Sequence, residues 1–127
     1  MKSIVNTSKA PAPIGPYNQA VKAGGTLYIS GQIPLSVSSG EIIVDDIEAE
    51  TKQVMENINA ILSKAGYSFQ DVVKTTIFLS DMSHFNDVNR VYGGYFDDEA
   101  PARETVAVKT LPKNVRVEIS AIAFKQE

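Results

Sequence analysis

Two charged residues lie in the most sheet-like part of the sequence, between Ala100 and Ala123. This segment, APARETVAVKTLPKNVRVEISAIA, alternates apolar and other residues in two halves separated by TLPKN, which predicts two β-strands. Arg103 opens the first half, and Glu118 lies midway through the second. A guanidinium can hold a carboxylate through two parallel hydrogen bonds, and a carboxylate can move protons to and from water or an amine. The pair suits a small α-carboxylated substrate that undergoes hydrolysis or tautomerisation.

The same pair also has a purely structural interpretation. Oppositely charged residues on adjacent strands can form an exposed ion pair, which contributes well under about 1 kcal/mol. The pattern alone favours this interpretation, and residue types do not exclude the functional one. The residues alone therefore do not decide between the structural and the functional interpretation.

Other catalytic chemistries have little support. Cysteine is absent, which excludes disulfides, thiolate metal ligands and cysteine nucleophiles. The single histidine, His84, has no second histidine or cysteine to share a metal with, so we interpret it as a solvated or capping residue. Acidic residues at 45–46 and 97–99 lie in predicted turns, where carboxylates commonly cap helices. None of these residues predicts a metal site.

Length and charge limit the class of protein. The 127 residues have the length of one domain, which we place over residues 1–127. Fifteen acidic and twelve basic residues give a net charge of −3 without a basic stripe, so we expect no nucleic-acid partner. No apolar run approaches the roughly 20 residues of a membrane-spanning helix. The N-terminal segment lacks the apolar core of a signal peptide, so we expect a cytoplasmic protein with no membrane partner.

Hydrophobic periodicity predicts a first helix from about Ile47 to Ala65. Apolar residues recur along this segment at helical spacing and form one stripe. Asp45 and Glu48 resemble a capping box at its start, and Gly66 is a natural stop at its end. The segment is therefore predicted to pack one face on a sheet.

The remaining elements predict an α+β fold. A second helix is expected from Asp81 or Ser83 to about Phe96, after a β-rich start, and strands are expected over 26–33 and 71–80. A sheet with both helices on one face fits this order and leaves the other face uncovered. On that face the last strand is predicted to carry a mixture typical of a subunit interface that contains a site: Arg116, Glu118, Ser120, Ile122 and Phe124.

Four motifs resemble one known family. They are IGPYNQAV (14–21), LYISGQIP (27–34), VVKTTIFLSDMSHFNDVN (72–89) and PARETVAVKTLPKNVRVEISAIA (101–123), and together with their order they cover essentially the whole chain. The combination resembles the RidA (YjgF-type) family of enamine/imine deaminases. The resemblance implies a chorismate-mutase-like α+β fold with a mixed sheet. It also implies a homotrimer whose sheets pack inward around the threefold axis, with active sites in three clefts between subunits.

The resemblance further implies an activity. It is the hydrolysis of 2-imino acids such as 2-iminobutanoate and 2-iminopropanoate, which arise when pyridoxal-phosphate dehydratases act on threonine and serine. The products are 2-oxo acids and ammonia, without a cofactor or a metal. Two alternatives exist within the family. One is a non-catalytic, 2-oxo acid-binding regulator, and the other is an endoribonuclease or translation inhibitor, which the net charge of −3 disfavours.

Residue by residue, the resemblance implies two catalytic positions. Arg103 matches the family arginine that grips the substrate carboxylate, and Glu118 matches the glutamate assigned to positioning or activating water. Substrate-binding roles are implied for five further residues, of which Tyr17, Ser30 and Asn89 also have simple interpretations as loop-packing or capping residues. The five are Tyr17, Ser30, Gly31, Asn89 and Thr105.

Thr105 departs from the family pattern, because many relatives carry a cysteine at this position. Strand alternation puts Thr105 on the same face as Arg103, so we expect it to face the same cleft. A threonine hydroxyl can donate or accept a hydrogen bond, but it cannot act as a thiolate. Chemistry that needs sulfur is therefore not expected, whereas hydrolysis by water is unaffected.

Overall fold

Six strands form one mixed sheet, and two α-helices pack on one of its faces. A computed structural model describes residues 1–127. The strand order across the sheet is β1-β2-β3-β6-β4-β5, in which only the β4–β5 pair is parallel. The predicted α+β class, with both helices on one face, is confirmed. The elements are β1 (Lys2–Val5), β2 (Ala20–Ala23), β3 (Thr26–Gln32), α1 (Ile47–Ala65), β4 (Val72–Leu79), α2 (Phe85–Gly93), β5 (Ala102–Ala107) and β6 (Val117–Phe124).

Helix α1 has the predicted bounds. Its N-cap is Asp46, whose carboxylate accepts a hydrogen bond from the Ala49 backbone N–H at 2.7 Å. The predicted capping box of Asp45 and Glu48 is therefore wrong by one residue, since Asp46 has the extended backbone that precedes the first turn. At the other end Gly66 adopts φ 82° and terminates the helix. The apolar stripe of α1 is fully buried and includes Val54, Met55, Ile58, Ile61 and Leu62.

Helix α2 is shorter than predicted. Asp81 caps a 3₁₀ turn over Met82–His84 by accepting a hydrogen bond from Ser83 N–H at 2.8 Å, and the α-helix follows directly. It ends at Gly93 rather than at Phe96, because two consecutive glycines weaken the helix there. The aromatic rings after the helix end still pack against the core, and the ring centroids of Phe69 and Tyr95 lie 5.2 Å apart.

The strands agree with the sequence pattern except near their ends. Strands β3 and β4 lie within the predicted segments 26–33 and 71–80. The connection between β5 and β6 spans residues 108–116 and is longer than the predicted TLPKN loop. It contains Lys113 and Asn114, both at φ 56°, a left-handed conformation that turns the chain back toward the sheet. Neither α1 nor α2 combines the length and the apolar sequence that a membrane-spanning helix requires.

The sheet has a helix-covered face and an open face. Along β6 the residues Val117, Ile119, Ala121 and Ala123 are buried under the helices. The open face, which nothing covers in one protomer, carries a row of apolar side chains that the strand register places together. They are Ile4, Val21, Tyr28, Phe78, Val106, Ile122 and Phe124. Tyr28 and Phe124 are each about half exposed, at 50% and 51%.

Arg116 does not lie on the open face as predicted. It precedes β6, and its Nε donates a hydrogen bond to Glu50 Oε2 of α1 at 2.8 Å. Glu50 is 2% exposed, so this ion pair neutralises a buried carboxylate and ties the sheet to the first turn of α1. The hydrogen bond to Glu50 raises the pKa of Arg116.

We expect Arg116→Met to destabilise the fold more than Arg90→Met does. The first change leaves Glu50 buried and unpaired, at a cost of about 1–3 kcal/mol, below the range for fully buried pairs because the Arg116 side chain is 39% exposed. The second change removes exposed ion pairs to Glu48 and Asp87, each worth less than about 1 kcal/mol. Urea unfolding at one fixed protein concentration measures both. Equal losses would show that the Glu50 pair has no special role.

Candidate active site

Arg103 lies on the helix-covered side of the edge strand β5. In the parallel register it pairs with Thr75 of β4, a buried residue that also faces the helices. The guanidinium reaches α2, where Arg103 Nη1 donates a hydrogen bond to Asn89 Oδ1 at 2.6 Å. Its Cζ lies 5.0 Å from the ring centroid of Tyr92 and 5.6 Å from that of Phe85. The guanidinium makes no other hydrogen bond in the protomer, so its remaining N–H groups are available to a ligand.

Glu118 lies on the open face of β6. It pairs in register with Phe78 of β4, and its carboxylate takes part in no hydrogen bond or ion pair within the protomer. Burial raises the pKa of the Glu118 carboxyl above its ordinary value. A carboxyl group without a donor or a cation beside it is suited to exchanging protons.

Gly31 makes room for the Glu118 side chain. A Cβ atom added at Gly31 would lie 2.8 Å from the carboxyl carbon of Glu118 and closer still to Oε2. Real Cβ atoms do not approach other heavy atoms so closely, so any larger residue would displace the carboxylate. The glycine of the SGQ motif therefore leaves the space that the Glu118 side chain occupies.

Within one protomer Arg103 and Glu118 lie on opposite faces of the sheet. Strand β4 separates β5 from β6, and the register puts Arg103 beside Thr75 under the helices but Glu118 beside Phe78 on the open face. The structural interpretation as an ion pair on adjacent strands is therefore wrong. A single site that uses both groups cannot be built from one chain, because the sheet lies between them.

Tyr17 and Gly31 line one small cavity on the Glu118 side of the molecule. Its volume is about 40 Å³, and Ile14, Ile33 and Leu35 contribute apolar walls. The Tyr17 hydroxyl oxygen accepts a hydrogen bond from the Ile14 backbone N–H at 3.3 Å, and the side chain is about half exposed.

Ser30 precedes Gly31, but its hydroxyl is already engaged. Its Oγ donates a hydrogen bond to the Asn18 carbonyl oxygen at 2.7 Å. This contact fixes the loop that carries Tyr17 to β3. It favours the loop-packing interpretation of the Ser30 side chain.

Asn89 and Thr105 lie with Arg103 rather than with Glu118. Asn89 holds one edge of the guanidinium, and Thr105 pairs in register with Ile77, on the helix-covered face. The expectation that Thr105 shares the face of Arg103 is confirmed. Its Oγ1 is buried and has no hydrogen-bond partner, which is unusual for a hydroxyl group. A ligand held by Arg103 is a natural partner for this hydroxyl.

Sequence reasoning missed two contacts of Arg103. The rings of Phe85 and Tyr92 lie in the predicted second helix, but no contact between them and Arg103 was predicted. With Asn89 they occur at positions i, i+4 and i+7, which places all three on one stripe of the helix. That spacing, with a polar residue in the middle of an apolar stripe, is the signal that could have predicted a contact surface for the guanidinium.

A larger concavity of the protomer lies away from these residues. It has a volume of about 750 Å³ and lies between the N-terminal segment, the loop around 36–38 and α1. Its walls are mainly uncharged polar side chains, and neither Arg103 nor Glu118 reaches it. No group of three or more potential metal ligands comes together anywhere in the chain.

The fold and these residues define a member of one family. A sequence profile of the family described as Endoribonuclease L-PSP matches residues 7–125. The chain belongs to this family, which is the RidA family that its motifs resemble.

Known relatives extend over essentially the whole chain. A RutC family protein of Pyrococcus horikoshii is 53% identical over 126 residues, which cover 99% of this chain and all of the relative. The 2-iminobutanoate/2-iminopropanoate deaminase of Mus musculus is 47% identical over 125 residues, which cover 98% of this chain and 93% of the relative.

Solved structures match the fold equally closely. A crystal structure of a Thermotoga maritima protein superposes with a TM-score of 0.97 at 50% identity, covering 100% of both chains. Another, of E. coli TdcF with bound serine, gives a TM-score of 0.92 at 41% identity, covering 98% of this chain and 99% of that chain.

We expect Gly31→Ala to lower the pKa of Glu118 toward its ordinary value. The added methyl group pushes the carboxylate out of its half-buried position and into water, which removes the desolvation that raises the pKa. A pH titration of the Glu118 carboxyl carbon by ¹³C NMR measures this change. Gly93→Ala is the matched control, since a Cβ atom there has no neighbour within 4 Å. An unchanged titration in Gly31→Ala would contradict the packing argument.

Proposed function

We propose that this protein hydrolyses 2-imino acids, such as 2-iminobutanoate and 2-iminopropanoate, to 2-oxo acids and ammonia. In this proposal it acts in the cytoplasm, without a cofactor, and in clefts between the subunits of a homotrimer. One observation carries it. The chain holds an arginine with free N–H groups and a glutamate without a partner, the two groups that such a reaction needs.

Arg103 binds the substrate carboxylate in this proposal. Asn89 occupies Nη1, so the remaining N–H groups can form two parallel hydrogen bonds with both oxygens of a carboxylate. The buried Thr105 hydroxyl on the same face has no partner and can donate a further hydrogen bond to the same ligand. This grip places the imine carbon, which is bonded to the carboxylate carbon, at a fixed distance from the guanidinium.

Glu118 handles the proton. The ionised carboxylate accepts a proton from water as the water oxygen bonds to the imine carbon, and the imine nitrogen takes up a proton. In the resulting carbinolamine the hydroxyl proton passes to the amine nitrogen through Glu118, the C–N bond breaks, and ammonia leaves as the C=O bond of the 2-oxo acid forms. A raised pKa brings Glu118 nearer to the range in which it can accept and return protons near neutral pH.

The two groups meet only between subunits. Since Arg103 and Glu118 lie on opposite faces of one sheet, the Glu118 of one subunit has to face the Arg103 of another. The apolar row on the open face supplies surface for such an interface, because tyrosine and phenylalanine side chains on it are half exposed. A ring of three copies repeats one such contact three times and closes.

A non-catalytic binding protein is the second candidate. The neighbour TdcF holds serine, an α-carboxylated ligand, and Arg103 supplies the grip that such a ligand needs whether or not turnover follows. The endoribonuclease named by the family description has less support, since the net charge of −3 gives no phosphate-binding stripe. The two candidates differ in the role of Glu118: an enzyme needs it for turnover, whereas a binding protein does not.

We expect Glu118→Gln to lose turnover but keep ligand binding. Glutamine preserves the shape of the side chain but cannot exchange a proton, so hydrolysis should fall roughly 10²-fold or more. A threonine dehydratase generates 2-iminobutanoate, semicarbazide traps it, and the assay measures how far each protein competes with trapping. Binding of 2-oxobutanoate is measured in parallel by calorimetry.

Arg103→Lys tests the binding of the substrate carboxylate by Arg103. An ammonium group cannot form the bidentate contact, so this variant should lose both binding and turnover while remaining folded. A parent protein that binds 2-oxobutanoate without accelerating hydrolysis would establish the binder instead. Clear catalysis that persists undiminished in Glu118→Gln would mean that another group activates water, with Thr105 the next candidate.

Mixing two inactive variants tests the site between subunits. Arg103→Ala and Glu118→Gln chains, unfolded together and refolded at a 1:1 ratio, should regain activity, because some clefts combine an intact arginine with an intact glutamate. In randomly mixed rings in which each cleft takes one group from each of two subunits, roughly a quarter of clefts are complete. The steady-state rate relative to refolded parent protein measures this fraction.

The double variant Arg103→Ala/Glu118→Gln, mixed with the parent chain, provides the control. It contributes no functional group, so only clefts between two parent chains remain active. Activity that stays at the level of the separate single variants after mixing them would rule out a shared site.

A further inference from the structure

We propose that Tyr92 is a positioning residue, which fixes the plane of the Arg103 guanidinium for its ligand, and that Thr75 anchors Tyr92 for this task. The inference rests on the proposed function, because it concerns the same carboxylate grip. Neither residue touches the ligand in this proposal. Both act through the arginine.

The guanidinium is held on two sides by one stripe of α2. Its Cζ lies 5.0 Å from the ring centroid of Tyr92, and its Nη1 donates a hydrogen bond to Asn89 Oδ1 at 2.6 Å. The ring of Phe85, one turn earlier, lies 5.6 Å from the same atom. These contacts restrict the rotation of a flexible arginine side chain before a ligand binds. Binding therefore costs less conformational entropy.

The ring of Tyr92 is itself tied to the sheet. Its hydroxyl shares a hydrogen bond of 2.6 Å with Thr75 Oγ1, and both side chains are buried. Thr75 is the register partner of Arg103 across the parallel β4–β5 pair. The strand pairing that places the arginine backbone therefore also places the anchor of the ring beneath its guanidinium. Tilting the ring would leave two buried hydroxyl groups unpaired, which is costly.

This arrangement selects one edge of the guanidinium for the ligand. The Tyr92 ring lies beside the guanidinium and Asn89 accepts from Nη1, so the edge formed by Nε and Nη2 is free for a carboxylate. Two parallel hydrogen bonds require that the carboxylate and the guanidinium share a plane. Fixing that plane therefore improves ligand binding without any direct contact between ligand and tyrosine.

The test measures 2-oxobutanoate binding and the steady-state constants for imine hydrolysis. Tyr92→Leu removes the ring, and we expect Kd and KM to rise roughly three- to thirtyfold, the scale of a cation–π contact. The kcat should change less than about twofold, because Glu118 of the neighbouring subunit is untouched. Tyr92→Phe and Thr75→Val each keep the ring but break the anchor, and each should raise Kd about two- to fivefold.

Two controls separate positioning from loss of stability. Tyr95→Leu removes a similar ring that packs on Phe69 and bonds to Glu56, away from Arg103, so it should lower stability without changing KM. Thr75→Val and Tyr92→Phe break the same hydrogen bond, so their effects on Kd should not add in the double variant. Thermal unfolding of every variant accompanies the binding measurements.

NMR reports the position of Arg103 without any ligand. The Arg103 Nε–Hε signal, assigned by its absence in Arg103→Lys, should be displaced from other arginine signals by the Tyr92 ring. Tyr92→Leu should abolish that displacement, and Tyr95→Leu should preserve it. If the parent protein neither binds 2-oxobutanoate nor hydrolyses imines, the proposed function is wrong. A displaced Arg103 signal would still show that Tyr92 positions the guanidinium.

Two results would overturn the inference. One is a Tyr92→Leu protein whose Kd and KM equal those of the parent while Arg103→Lys has lost binding. The other is an Arg103 signal that is identical in the parent and in Tyr92→Leu.

Discussion

Burial of the α1 stripe and of Tyr92 against one face of the sheet determines which side chains of each strand face the helices. Once Ile119 and Ala121 of β6 are under α1, alternation leaves Glu118 on the other face. Pairing across β4 carries the same division to β5, where Arg103 follows Thr75 toward the helices. A slip of one residue in either pairing would exchange the two faces, so the location of both groups depends on the register that core packing fixes.

That division gives the two charged groups different surroundings. The helix-covered face gives Arg103 two aromatic rings and an asparagine, which hold a long side chain in one orientation. The open face gives Glu118 partial burial against Gly31 without a neutralising cation. The raised pKa of Glu118 thus belongs to a carboxyl group that has no cation beside it in its own protomer.

The sequence allowed prediction of elements and of faces within an element, but not of relations between elements. The bounds of α1 follow from its periodic stripe and from Gly66, and the facing of β6 follows from alternation. The end of α2 at Gly93 and the cap at Asp46 depend on backbone angles. The sequence also permitted an end near Phe96 and a cap at Asp45. The strand order places β4 between Arg103 and Glu118, and that order arises from tertiary pairing, which no local pattern encodes. For the same reason the contact of Arg116 with Glu50 could not be foreseen.

Hydrogen-bond satisfaction separates the candidate site from the rest of the protomer. Gln19, buried in the N-terminal loop, donates to three carbonyl oxygens, and Asn57 of α1 donates to two, so both groups are structural. Three groups near the candidate site differ, since the Glu118 carboxylate, the Thr105 hydroxyl and most Arg103 N–H groups have no partner. Because the pKa of folded Glu118 lies above its unfolded value, its ionisation reduces stability as the pH rises through that pKa. Of the three, only the Thr105 hydroxyl is buried and left unsatisfied by folding, and a carboxylate held by Arg103 could supply its partner.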